Sequence, residues 1–215
     1  LRNHFLLVGQ KSATPGGMDR RQTGAFDPGG SMERTVRNLR WFHYLSLFLW
    51  IFSIATMFLG PLVRAENAGL SCPDWPLCHG HVVPPYEYRV FLEFIHRVFA
   101  GFLVGTTFVL WLLLSWLDRN LRQKFGHWTL LAGLLLSMQI FLGGLTVWLK
   151  LDAYIVKSHL LTALLFLSVV LLVWRRSQIR LKTGKLENRP ITTAVLMQRI
   201  LVVLLFVQIY LGGRV

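Results

Sequence analysis

Residues 127–149 read HWTLLAGLLLSMQIFLGGLTVWL, an apolar stretch long enough to cross a lipid bilayer as a helix. Such a crossing takes about 20 mostly apolar residues. Four more stretches meet this length, at residues 41–63, 90–117, 153–174 and 191–213. None alternates as a barrel strand does, and lipid leaves helices as the other option. The sequence therefore predicts an all-α fold, a polytopic membrane helix bundle.

The charge of the chain follows the same spans. The 215 residues are 53% hydrophobic and 15% charged, yet the net charge is +13. Most of the basic residues fall in segments 2–40, 119–124 and 175–199. The positive-inside rule then predicts a cytoplasmic N-terminus, with loops 64–89 and 150–152 outside. The charge indicates membrane topology, and we expect no nucleic-acid partner.

The spans predict four segments in the chain. Residues 1–40 are expected to be a disordered cytoplasmic tail, of which 1–31 precede Met32 and read as an extension of the gene prediction. Residues 41–174 are expected to form a four-helix transmembrane half, which carries the candidate site considered below. Residues 175–190 are predicted to be a basic cytoplasmic loop, and residues 191–215 the first helix of a second, truncated half.

A short repeat supports the prediction of two halves. QIFLGG at 139–144 recurs as QIYLGG at 208–213, which indicates a repeated four-helix unit. We therefore expect the chain to be a fragment of a protein with about eight spans. The alternative is chance similarity, because glycine-rich membrane helices repeat easily.

Ionisable residues inside the spans are the candidates for chemistry, because burying them in lipid is costly. Glu93, His96 and Arg97 share one helix face in the second span, and His159 lies in the fourth. Both histidines are six residues inside their span, at a depth of about 9 Å. Two imidazoles at one depth on two helices are the arrangement that bis-histidine ligation of haem iron requires.

Simpler interpretations of the same residues stay open. His159 follows Lys157 and is alternatively a solvated interfacial residue. His96 is alternatively a structural hydrogen-bond partner of Glu93. Arg97 pairs either with haem propionates, as a cofactor-binding residue, or with Glu93.

Cys72 and Cys78 lie in AGLSCPDWPLCHG, on the predicted outer side. An oxidising compartment favours a disulfide there, and a redox-active thiol pair is the main alternative. Zinc is disfavoured, because the spacing is unlike that of usual zinc sites.

Four segments together resemble the heme A synthase family. They are LVRAENAGLSCPDWPLCHG at 62–80, EFIHR at 93–97, QIFLGGLTV at 139–147 and KSHL at 157–160. The resemblance implies an eight-helix oxidoreductase of two four-helix halves that oxidises the C8 methyl of heme O to the formyl group of heme A.

The resemblance also implies roles for individual residues. His96 and His159 match the histidines that hold the substrate heme O through its iron, and Glu93 matches a glutamate thought to act in the reaction. Cys72 and Cys78 match a pair able to form a disulfide. The second histidine pair of the family, which binds heme b, is expected in the missing half.

The expected setting is the bacterial cell membrane, with lipid, heme O synthase and a terminal oxidase assembly pathway as partners. One rival function is a non-catalytic membrane b-type cytochrome, which also needs two histidines but has no evident use for the cysteine loop or Glu93. The other rival is half of a transporter, which predicts charges near the bilayer centre rather than near one face.

Overall fold

The computed structural model describes residues 28–184, which form four long helical spans. The elements are α1 (Pro28–Ala65), α2 (Tyr88–Val98), a π-helical segment (Phe99–Val104), α3 (Gly105–Leu117), α4 (Arg119–Trp148) and α5 (Ala153–Thr183). The α2, π-helical and α3 segments follow one another as a single span. Each span is long and apolar enough to cross a membrane. The all-α membrane bundle is thereby confirmed, while the predicted fifth span lies outside the described residues.

Polar residues begin and end the helices. Asp118 accepts hydrogen bonds from the backbone N–H groups of Asn120 and Leu121 at the start of α4. Asp152 does the same for Tyr154 and Ile155 at the start of α5. Such caps satisfy N–H groups that have no partner within the helix. Gly184 ends α5 with a positive φ of 67°, a conformation that favours glycine.

Two helices extend further than the sequence predicts. Helix α1 begins at Pro28, so the part of the expected tail at 28–40 is helical. Helix α5 continues to Thr183, so most of the predicted basic loop at 175–190 is helical too. Hydropathy locates only the part of a helix that lies in lipid. A helix continues into water until a breaker such as Gly184 stops it.

The buried core lies in the half of the bundle away from the loop that joins α1 to α2. There the Phe42 ring stacks on Trp111 with 5.4 Å between centroids and also packs against Phe125. The indole N–H of Trp111 donates to the Ser46 hydroxyl at 2.8 Å. This packing holds the helices together at one end and leaves the other end for the candidate site.

Candidate functional site

The arrangement of the helices places the two predicted histidines at opposite corners of the bundle. Helices α1 and α4 each pack against both α3 and α5, so the second span and α5 are diagonal neighbours. His96 is on α2 and His159 is on α5, and both side chains are partly buried. The structure thus places the two histidines that the sequence pairs on different helices of one bundle.

Each imidazole has a nitrogen without a partner. Within residues 28–184, the Nδ1 atoms of His96 and His159 are buried and accept or donate no hydrogen bond. Unpaired buried polar atoms are rare in native structures and point to a missing ligand or a functional role. A neutral imidazole nitrogen is a common metal ligand. The two residues therefore fit a group such as haem iron, which takes one nitrogen from each side.

Each histidine ring packs against a glycine. A Cβ atom on Gly60 of α1 would stand 3.7 Å from Cε1 of His96. A Cβ atom on Gly143 of α4 would stand only 3.3 Å from Cε1 of His159. The second distance is too short for ordinary contact, so the His159 ring occupies space that only glycine leaves open at position 143.

Gln139 is a site residue that the sequence reasoning missed. Its amide Nε2 lies 3.3 Å from Nε2 of His159, and its Oε1 is buried without a partner among residues 28–184. The sequence does carry a signal for this residue, because a polar amide within an apolar span requires a hydrogen-bond partner. In the sequence QIFLGG stands out as a repeat and as part of the family resemblance, and neither marks the contacts of Gln139 and Gly143 with the His159 ring.

Glu93 and Arg97 face the loop between α1 and α2. We refer to residues 66–87 as the cysteine loop. Glu93 Oε1 forms an ion pair with Arg97 at 2.6 Å. Glu93 Oε2 accepts a hydrogen bond from the backbone N–H of Cys72 at 2.9 Å. Both oxygens of the glutamate are therefore engaged. The sequence offered a hydrogen bond between Glu93 and His96 as an alternative. Within residues 28–184, the contacts of this carboxylate do not include one.

Arg97 ties several carbonyl groups of the cysteine loop to α2. Its guanidinium donates to the carbonyl oxygens of Cys72 at 3.0 Å and Asp74 at 2.7 Å, and also to that of Leu77. Of the two pairings that the sequence left open for Arg97, the structure contains the one with Glu93. The planar guanidinium and the carboxylate together hold the loop on the end of α2.

Cys72 and Cys78 are joined by a disulfide, and both are buried. Beyond the bond, Trp75 reaches across to α4. Its ring lies 3.3 Å from the position of a Cβ on Gly144, and it meets Trp148 edge-on with 5.9 Å between centroids. The cysteine loop therefore contacts both α2 and α4.

Asp74 organises the exposed tip of the loop. Its carboxylate accepts the backbone N–H groups of Gly80 at 2.8 Å and His79 at 2.6 Å. These hydrogen bonds, that from Gly80 first, and the nearby charge of Arg97 hold the pKa of Asp74 below its ordinary value. Asp74 is therefore a carboxylate at neutral pH and closes the turn after Cys78.

The sequence is similar to that of one known protein family over most of its length. Residues 41–90 and 85–215 match the cytochrome oxidase assembly protein family, COX15-CtaA. The chain belongs to this family. A heme A synthase of Shewanella oneidensis is 32% identical over 149 residues, which are 60% of this chain and 44% of that protein. No solved structure matches the chain.

Two further heme A synthases are similar to the chain over comparable shares of its length. The heme A synthase of Geobacillus kaustophilus is 31% identical over 51% of this chain and 34% of its own length. That of Macrococcus caseolyticus is 31% identical over 55% of this chain and 39% of its own length. The similarity to these curated relatives therefore spans less than half of their length.

Proposed function

We propose that the family member described here takes part in heme A biosynthesis as an oxidoreductase that converts the C8 methyl group of heme O to a formyl group. The observation that carries the proposal is the pair His96 and His159, two partly buried imidazoles on diagonal helices, each with a buried Nδ1 that has no hydrogen-bond partner within residues 28–184. The similarity to heme A synthases supports the same function. We further propose that a heme b binds in a second half of the full-length protein.

In this proposal the residues of the chain hold heme O and exclude water. His96 and His159 would hold the haem through its iron, and Gly60 and Gly143 leave room for their rings. Conversion of a methyl group to a formyl group adds one oxygen atom and removes four electrons, which amino-acid side chains cannot do, so the haem iron and an external acceptor supply the redox chemistry.

Glu93 and Arg97 act through the cysteine loop in this proposal. Both carboxylate oxygens of Glu93 are occupied by Cys72 and Arg97, so we assign the pair to positioning the loop rather than to proton transfer at the substrate. The loop then covers the end of the bundle between α2 and α4. A covered site excludes water and protects a reactive centre from side reactions.

The proposed setting is the cell membrane of a bacterium, with the N-terminus in the cytoplasm and the cysteine loop outside. The distribution of basic residues supports this orientation. Heme O synthase would supply the substrate, and assembly of a terminal oxidase would use the product. The disulfide fits an oxidising compartment outside the membrane.

The test is co-expression of the full-length gene with heme O synthase, followed by chromatography of the extracted haems. We expect heme A in the unchanged protein and only heme O and heme B in His96→Ala and His159→Ala. Both variants must still insert into the membrane, as fractionation will report. Absence of heme A in the unchanged protein, with haem still bound, would instead favour a non-catalytic b-type cytochrome.

A further inference from the structure

We infer that Gln139 is a positioning residue for His159, which orients the imidazole and fixes which ring nitrogen carries the proton. The inference rests on the proposed function, since it takes the His96 and His159 pair as the haem site. It concerns a side chain to which neither the family resemblance nor the histidine spacing assigns a role.

The geometry places the Gln139 amide against one nitrogen of the ring and leaves the other unpartnered. Nε2 of His159 lies 3.3 Å from the amide of Gln139, whereas Nδ1 has no partner within residues 28–184. The amide oxygen of Gln139 is also buried without a partner there. A half-turn of the amide about its last bond exchanges its NH2 and oxygen. The oxygen then accepts the N–H of Nε2, and the NH2 group takes the position without a partner.

A second contact from α4 fixes the same ring. Gly143 is four residues after Gln139 and therefore lies on the same helix face, one turn further along. Cε1 of His159 packs against Gly143, at 3.3 Å from the position of a Cβ there. The ring is thus held at an edge by Gln139 and from the side by Gly143, both on α4. Nδ1 lies 3.9 Å from the same Cβ position and is the ring nitrogen without a hydrogen-bond partner within residues 28–184.

A hydrogen bond of this kind tunes a metal ligand. An imidazole that donates its other N–H to an acceptor is fixed in one tautomer and becomes a more basic ligand. A more basic ligand stabilises the ferric over the ferrous state, so it lowers the midpoint potential of the haem. Removing such a partner typically weakens metal binding by about 10-fold to 100-fold.

The test uses three variants of the full-length protein co-expressed with heme O synthase. Gln139→Leu removes the acceptor, and we expect weaker heme O retention, by about 10-fold or more, and a raised midpoint potential. Gln139→Glu offers a stronger acceptor and should lower the midpoint potential. Ser137→Ala is the matched control, because this exposed hydroxyl on α4 bonds only its own helix, to the Gly133 carbonyl, among the contacts within residues 28–184.

Opposite shifts in the two Gln139 variants would support the inference, because a merely structural defect would not change sign with the acceptor. Unchanged potentials, or shifts in the same direction, would overturn it. We identify the haem of this site as the component whose redox signal is lost in His159→Ala. If His159→Ala removes none, the proposed site itself fails. If it removes one that neither Gln139 variant shifts, only the role of Gln139 fails.

Discussion

Trp75 of the cysteine loop rests on Gly144 of α4, with its ring 3.3 Å from the place where a side chain would begin. The neighbouring Gly143 packs against the His159 ring, whose Cε1 lies 3.3 Å from the position of a Cβ on that glycine. Two consecutive glycines thus serve two different contacts, one with the loop and one with a proposed haem ligand. The position of the loop and the position of the ligand are set by adjacent residues of one helix.

Replacing Gly144 by alanine should displace Trp75 and loosen the cysteine loop. A methyl group at 3.3 Å from an aromatic ring is overpacked, which costs about 1–3 kcal/mol. We expect faster reduction of the Cys72–Cys78 disulfide by a membrane-impermeant phosphine, measured as thiol labelling over time. Gly101→Ala is the control, because nothing lies within 4 Å of a Cβ at Gly101. Equal reduction rates in the two variants would mean that Trp75 does not hold the loop.

Replacing Gly143 by alanine should lower heme O occupancy while leaving the loop in place. The new methyl would meet Cε1 of His159 at 3.3 Å, so the imidazole must shift. Gly60→Ala places a methyl 3.7 Å from His96, an ordinary contact, and should have a smaller effect. Extracted haem per protein is the measurement. A larger loss in Gly60→Ala than in Gly143→Ala would contradict this account.

Removing the charge of Glu93 should destabilise the protein through the partner it leaves behind. Arg97 is only 15% exposed and Glu93 6%, so Glu93→Ala leaves a largely buried guanidinium without its counter-charge. Loss of one partner of a buried pair costs about 3–5 kcal/mol. Glu93→Gln keeps an oxygen for the Cys72 N–H and should cost less. Thermal unfolding in detergent measures both, and a midpoint of Glu93→Gln equal to that of the unchanged protein would argue against the ion pair.

Acid should loosen the turn that Asp74 closes. The pKa of Asp74 is lower in the folded protein than in the unfolded chain. Its stabilising effect is therefore complete above the unfolded pKa of about 4 and is lost as the pH falls through the lower, folded value. Hydrogen-exchange protection of the His79 and Gly80 amides should drop in that range. In Asp74→Asn we expect weaker protection at neutral pH and no step on acidification.

Hydropathy alone was enough to predict the four described spans, because the energy of lipid burial depends on composition over a whole segment. The same reasoning paired His96 with His159, since a polar group in lipid must face the bundle interior. The structure adds contacts that depend on the path of the chain. Arg97 binds carbonyl groups of the cysteine loop, and no side-chain pattern marks a carbonyl as an acceptor. Trp75 meets Gly144 only because the loop folds back over α4.

The π-helical segment at Phe99–Val104 joins α2 and α3 within one span. Each residue turns a helix by about 100°, so the wider turn of a π-helix changes the angle between the side chains of α2 and those of α3. His96 and Arg97 lie before this segment, and the buried Trp111 lies after it. The length of this segment is therefore constrained more strictly than its composition. An apolar replacement within 99–104 keeps the angle between the side chains of α2 and those of α3. Deletion of a single residue would rotate His96, the proposed ligand, away from its site.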